Sequence, residues 1–168
     1  MKANYQCVTT VQGIRDYLGD AEIIAFDFET APDEPYRAEE KSALDPARAH
    51  IVGCSFSAPE RTGIYVPVAH KIGANIDRTA FFLFLADFLT NPHITKVAHN
   101  IAFESSVAYA KGIVIQPPVY DTIAAAQMTL GSAYEFRKLN ESGLKHLAGE
   151  LLGESLPTFA ETTGGETL

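Results

Sequence analysis

The stretch Ile23-Ile24-Ala25-Phe26-Asp27-Phe28-Glu29-Thr30 decides how this chain is read. Isoleucine and phenylalanine dominate it, so residues 21–29 are expected to form a β-strand. Side chains alternate across a strand, which puts Asp27 and Glu29 on one face and Phe26 and Phe28 on the other. Two neighbouring carboxylates repel unless a cation sits between them, and a divalent metal ion is the natural partner. A plainer account is a solvent-facing strand end whose polar face happens to be acidic. The apolar approach, Ile-Ile-Ala-Phe, points to an interior strand and leaves both accounts open.

A second segment, Lys96-Val97-Ala98-His99-Asn100-Ile101-Ala102-Phe103-Glu104, reads as a short strand delivering the chain to a helix start at Asn100. Glu104 follows one turn later on the same face. Asn100 suits an N-cap, but a capping box wants its acid three positions on, where this chain has Phe103. Glu104 therefore has either a role at a site or the ordinary role of an exposed first-turn glutamate near the positive end of the helix dipole.

Working outward, helices are expected over residues 8–19, 78–89, 101–110, 122–130 and 139–152, from apolar spacing and from stops such as Gly19, Asn91-Pro92 and Gly153. Strands are expected over residues 51–57 and 63–68, with Pro59-Glu60-Arg61-Thr62 as the turn of a hairpin, and over 95–99. Residues 31–48, with three prolines, read as a long loop with a helical turn near 39–43; residues 113–119 read as an extended connector and 162–168 as a frayed tail. Asp121 is placed to cap the helix that follows it. The sum is mixed α/β, antiparallel strands first and strand–helix alternation after.

At 168 residues the chain fits one domain with a real core. Its net charge of −8 excludes a nucleic-acid binder that works by blanket phosphate attraction. The acidity is concentrated early: residues 1–60 carry 5 Lys/Arg against 11 Asp/Glu. Such a chain acts on nucleic acid only where metal ions neutralise its carboxylates. The two cysteines, Cys7 and Cys54, lack CxxC spacing and read as reduced thiols. No apolar run approaches the roughly 20 residues of a membrane helix. The N-terminus has no apolar leader, so a cytoplasmic location, in a bacterial or phage-infected cell, is expected.

Together these segments resemble the 3′→5′ proofreading exonuclease domain of family A DNA polymerases, of phage or bacterial type, within the DEDD superfamily. Asp27 and Glu29 match the first motif, D-x-E on a core strand. Asn100, Phe103 and Glu104 match the second, an Asn followed four residues later by an acid with an aromatic just before it. The stretches 49–57 and 64–70, Tyr120-Asp121-Thr122 and 143–148 fall where the family places similar segments. The likeness runs from about residue 22 to about residue 159. It implies a ribonuclease H-like mixed sheet with flanking helices.

It also implies two divalent ions, Mg²⁺ or Mn²⁺, clamping the attacking and leaving oxygens of the 3′-terminal phosphodiester. Asp27 would bridge both ions, Glu29 would bind one, and Glu104 would bind or orient the second. Asn100, Phe103 and Thr30 would contact the single-stranded DNA 3′ end, and a polymerase domain would follow. His70 and His99 read as hydrogen-bonded structural residues. Two departures stand out. The family has Asp where this chain has Glu104, whose extra methylene moves the carboxylate out by about 1.5 Å. The third motif, Y-x-x-x-D or H-x-x-x-x-D, has no match, because Asp121 is the last aspartate and the His146/Glu150 pair reads as helix surface. The chain is accordingly expected to be the N-terminal portion of the domain, poorly active alone. Two other readings stay open: a non-catalytic docking remnant of the same fold, and a ribonuclease D-like enzyme acting on RNA.

Overall fold

The computed structural model describes residues 4–59, 62–130 and 143–156. The expected tail, the start of the 139–152 helix and the middle of the hairpin turn lie outside them. Residues 1–120 form one compact unit and residues 121–168 a second.

The first unit is organised around β2 (Ile23–Pro32), whose alternation is the expected one: Ile24, Phe26 and Phe28 are buried while Asp27 and Glu29 are exposed. It pairs antiparallel with β3 (Ala49–Ser57), which pairs antiparallel with β4 (Thr62–Pro67). On its other edge β2 runs parallel to β5 (Thr95–Ala98), in register Ile24↔Lys96 and Ala25↔Val97. Two strands escaped the sequence reading. The exposed β1 (Asn4–Cys7) runs parallel to β4, and β6 (Val119–Asp121) closes the order β1-β4-β3-β2-β5-β6. Both are short edge strands without an apolar face, so neither carries the period that identifies a strand. The connector expected over residues 113–119 thus ends in strand.

Helix α1 (Val11–Leu18) starts where the Thr10 hydroxyl accepts from the Gly13 N–H, and α2 (Arg78–Thr90) where Asp77 accepts from Ala80 N–H at 2.8 Å. Phe88 of α2 meets Phe26 and Phe56 edge-on, with ring centroids 5.5 Å from each, and stacks beside Phe84. This aromatic cluster fixes the even-numbered face of β2 against α2. The loop between β2 and β3 holds single 3₁₀ turns at Glu34–Tyr36, before the turn expected at 39–43, and at Ser42–Leu44, overlapping its end. Helix α3 (Ile101–Ala110) follows β5 directly. Cys7 and Cys54 are free thiols.

In the second unit α4 (Thr122–Leu130) begins where Asp121 accepts a hydrogen bond from Ile123 N–H at 2.9 Å, so Asp121 caps it as expected. A short α5 (Leu144–Leu147) widens into a π-type turn, Ala148–Leu152, and stops at Gly153 in the left-handed region. Among the described residues no helix is long and apolar enough to cross a membrane.

Lys96 is wholly buried, and its ammonium donates to the Asn91 carbonyl at the end of α2, where the helix dipole favours a cation. Burial nevertheless lowers its pKa from the ordinary 10.5. Between the lowered folded value and 10.5 the unfolded chain binds more protons, so this group makes stability rise with pH in that window. Urea unfolding of wild type and Lys96→Met at pH 8 and 10 should show the difference between them moving in favour of the wild type at the higher pH; a pH-independent difference would mean the ammonium is solvated.

Phe88 is 3% exposed and Leu83, on the opposite side of the same helix, 66%. Phe88→Ala should cost about 3–5 kcal/mol in urea unfolding, and Leu83→Ala no more than about 0.5 kcal/mol. Equal losses would show that α2 does not pack by this face.

Candidate active site

Strand β2 delivers Asp27 and Glu29 to the odd-numbered face of the sheet, where Ser55 of β3 lies opposite Asp27 and Gly53 opposite Glu29. A register shift follows between Glu29 and Thr30, bending the strand just past the second carboxylate. Both carboxylates reach solvent, yet enough protein surrounds them to raise both pKa values. For Asp27 desolvation dominates, opposed in part by His99; for Glu29 desolvation is reinforced by the charge of Asp27. The repulsion inferred from the D-x-E spacing is therefore present in the fold.

The second segment arrives from β5, whose parallel register, continued past Ala25↔Val97, brings His99 beside Asp27. Asn100 follows in the left-handed region at φ 72°. It occupies the N-cap position of α3, but its side chain makes no capping hydrogen bond, in contrast with the capping role the sequence suggested. The strained corner turns the chain abruptly from strand to helix, and asparagine tolerates that conformation better than most residues. Glu104 is 1% exposed, so the account of it as a solvated first-turn glutamate does not describe this chain. Its carboxylate, with those of Asp27 and Glu29, stands close enough to the buried Cys54 to add to the burial that pushes that thiol well above its ordinary range. All three carboxylates thus act on one buried thiol of β3.

The remaining sequence candidates are placed differently. Phe103 is half-buried and packs against the core. The Thr30 hydroxyl donates to the Ala43 carbonyl at 2.6 Å, tying the β2–β3 loop to the strand. His70 and Tyr65 share a hydrogen bond of 2.7 Å, in keeping with a structural reading of His70. Tyr65 itself was not singled out from the sequence. Burial, and then the nearness of Glu29, raise its hydroxyl pKa to about 12. The available signal was Gly53, since a glycine inside a strand marks close approach of another group; a Cβ there would collide with the Tyr65 hydroxyl and ring.

Hard carboxylate oxygens of this kind suit a Mg²⁺- or Mn²⁺-type cation. Among the described residues, however, no group of three or more His, Cys, Asp or Glu stands already arranged around an ion position. The donor chemistry fits a divalent ion.

Known proteins share both sequence and fold with this chain. The DNA polymerase I of Chloroflexus aurantiacus is 33% identical over 109 residues, which is 65% of this chain and 11% of that protein. The DNA polymerase I of Pseudomonas aeruginosa is 28% identical over 152 residues, 88% of this chain and 15% of that protein. The chain therefore spans only a small fraction of these relatives. Among solved structures, Brucella melitensis NrnC with bound Mg²⁺ superposes with a TM-score of 0.63 at 22% identity, covering 94% of this chain and 65% of that one. Escherichia coli RNase D superposes with a TM-score of 0.61 at 20% identity, covering 92% and 35%. At these identities the likeness establishes the fold, ribonuclease H-like as expected. The 3′-5′ exonuclease family matches residues 5–164, so nearly the whole chain lies within it. With the polymerase I relatives beside that match, the chain belongs to the 3′-5′ exonuclease family, in the form found in family A DNA polymerases.

Proposed function

We propose that this chain is a nuclease domain that removes the 3′-terminal nucleotide of a DNA strand by metal-assisted hydrolysis, in the proofreading role of a DNA polymerase that includes it. The observation that carries the reading is the pairing of Asp27 and Glu29 on the solvent-facing side of a central strand, with the buried Glu104 acting on the same thiol, Cys54. Mutual repulsion and desolvation leave these groups short of positive charge, and a divalent cation supplies it. Asp27, Glu29 and Glu104 would hold the ions, which when bound neutralise the reacting phosphate and activate water.

The chain's own residues do the rest. Asn100, exposed at its left-handed corner four residues before Glu104, would present its amide to the sugar–phosphate backbone of the strand end. An amide offers both a donor and an acceptor there without adding charge. The half-buried Phe103 would keep its ring against the core and offer its open edge to the terminal base. Thr30 would act through the backbone bend it stabilises, since its hydroxyl is committed to Ala43. The net charge of −8 means that affinity for the strand would depend on these contacts and on the ions.

The reading is tested with 5′-labelled single-stranded DNA and the matching RNA, each incubated with Mn²⁺ and with EDTA. Slow stepwise shortening from the 3′ end is expected on DNA, abolished by EDTA and reduced at least about 100-fold by Asp27→Ala. Trimming that survives Asp27→Ala would sink the site assignment. Equal or faster trimming of RNA would move the function to a ribonuclease.

Metal binding provides a separate check. Calorimetry with Mn²⁺ should show weakened binding in Asp27→Ala, and in the metal-free chain the same substitution should leave the urea midpoint unchanged or raised, because it removes a repulsion. Identical Mn²⁺ affinity in the two proteins would place the ions elsewhere.

A further inference from the structure

Tyr65 belongs to β4, opposite Ser55, yet its hydroxyl does not stay there. The ring leans diagonally across the sheet until the hydroxyl lies where a side chain on Gly53 would begin. Gly53 is the cross-strand partner of Glu29. The hydroxyl thus takes the place of the side chain that would face Glu29, and such neighbouring positions across antiparallel strands are roughly 5 Å apart.

The position is built rather than incidental. His70 Nε2 lies 2.7 Å from the Tyr65 oxygen, and the two rings meet edge-on. The His70 backbone is gripped from both sides by one residue: its N–H donates to Asn75 Oδ1 at 2.8 Å, and its carbonyl accepts from Asn75 Nδ2 at 2.9 Å. Either ring can donate in this hydrogen bond, depending on the His70 tautomer. Where His70 Nε2–H donates to the tyrosine oxygen, the tyrosine O–H is left to point toward Glu29.

We infer that Tyr65 and His70 form a hydrogen-bonding arm that positions the Glu29 carboxylate through one bridging water, in the space that Gly53 leaves open. Tyr65 is a positioning residue here, acting through Glu29. Glu29 is near enough for its charge to raise the Tyr65 hydroxyl pKa, and a bridging water joins polar neighbours of this kind without direct contact. The consequence is a carboxylate with fewer orientations open to it before an ion arrives. The role of Glu29 as a ligand rests on the nuclease reading above; the arm itself does not.

The test separates the two. In the metal-free chain, Tyr65→Phe should lower the urea midpoint in the wild-type background and shift it less in a Glu29→Ala background, where only the His70 hydrogen bond is lost. A second measurement, Mn²⁺ affinity followed by the EPR signal of the free ion, should show weakening of up to about 10-fold in Tyr65→Phe and in His70→Ala. The double variant should be no weaker than Tyr65→Phe, and His70→Gln, which keeps a side-chain N–H donor, should recover most of the affinity. Equal urea shifts in both backgrounds overturn the arm, and they leave the carboxylate reading standing if Mn²⁺ binding still depends on Asp27. Absence of Asp27-dependent Mn²⁺ binding overturns the carboxylate reading instead, and the urea comparison alone then decides the arm.

Discussion

The pleat of β2 is the constraint on which the rest depends. Phe26 and Phe28 are drawn to one side by the aromatic cluster around Phe88, and the two-residue period then sends Asp27 and Glu29 to the other. A slip of one residue would put both carboxylates against Phe56 and Phe88 and both phenylalanines in solvent, so the register is strongly specified. Hydrogen bonding to β3 on one edge and β5 on the other holds it from both sides. The same stiffness that makes the core makes the site.

That arrangement keeps an electrostatic conflict within the folded chain. The charge of Asp27 raises the cost of ionising Glu29 on top of desolvation, and the buried Glu104 acts with both on Cys54. Lys96, a fully buried cation on the adjoining strand, does not relieve it. By the Ile24↔Lys96 register it shares the apolar face of β2, where its ammonium is spent on the end of α2. His99 is the neighbouring group that eases Asp27. Local disagreement between residue type and environment, set within an otherwise consistent core, is what a functional site looks like in physical terms.

Much of this was legible in the chain. Strong apolar periods identified β2, α2 and α3, and the strand period assigned Asp27 and Glu29 to a common face without any knowledge of neighbours. The edge strands β1 and β6 were missed because their pairing comes from tertiary position: four and three residues carry too little apolar pattern to announce a strand. Asn100 was recognised as a helix boundary, but its left-handed backbone and the absence of a capping bond follow from the direction in which β5 must hand the chain to α3.

Sequence by itself determined the class of fold and the two acidic segments, because both are written in short-range periods that need no partner to be read. Tertiary structure alone decided three further things. Glu104 is buried, which depends on how α3 packs after β5. Lys96 faces the core, which depends on the parallel register. The Tyr65 hydroxyl stands beside Glu29, although 36 positions separate them in sequence, because a glycine on the strand between them leaves the room. Each brings together residues that no local spacing relates, and distances across a sheet are set by pairing and packing.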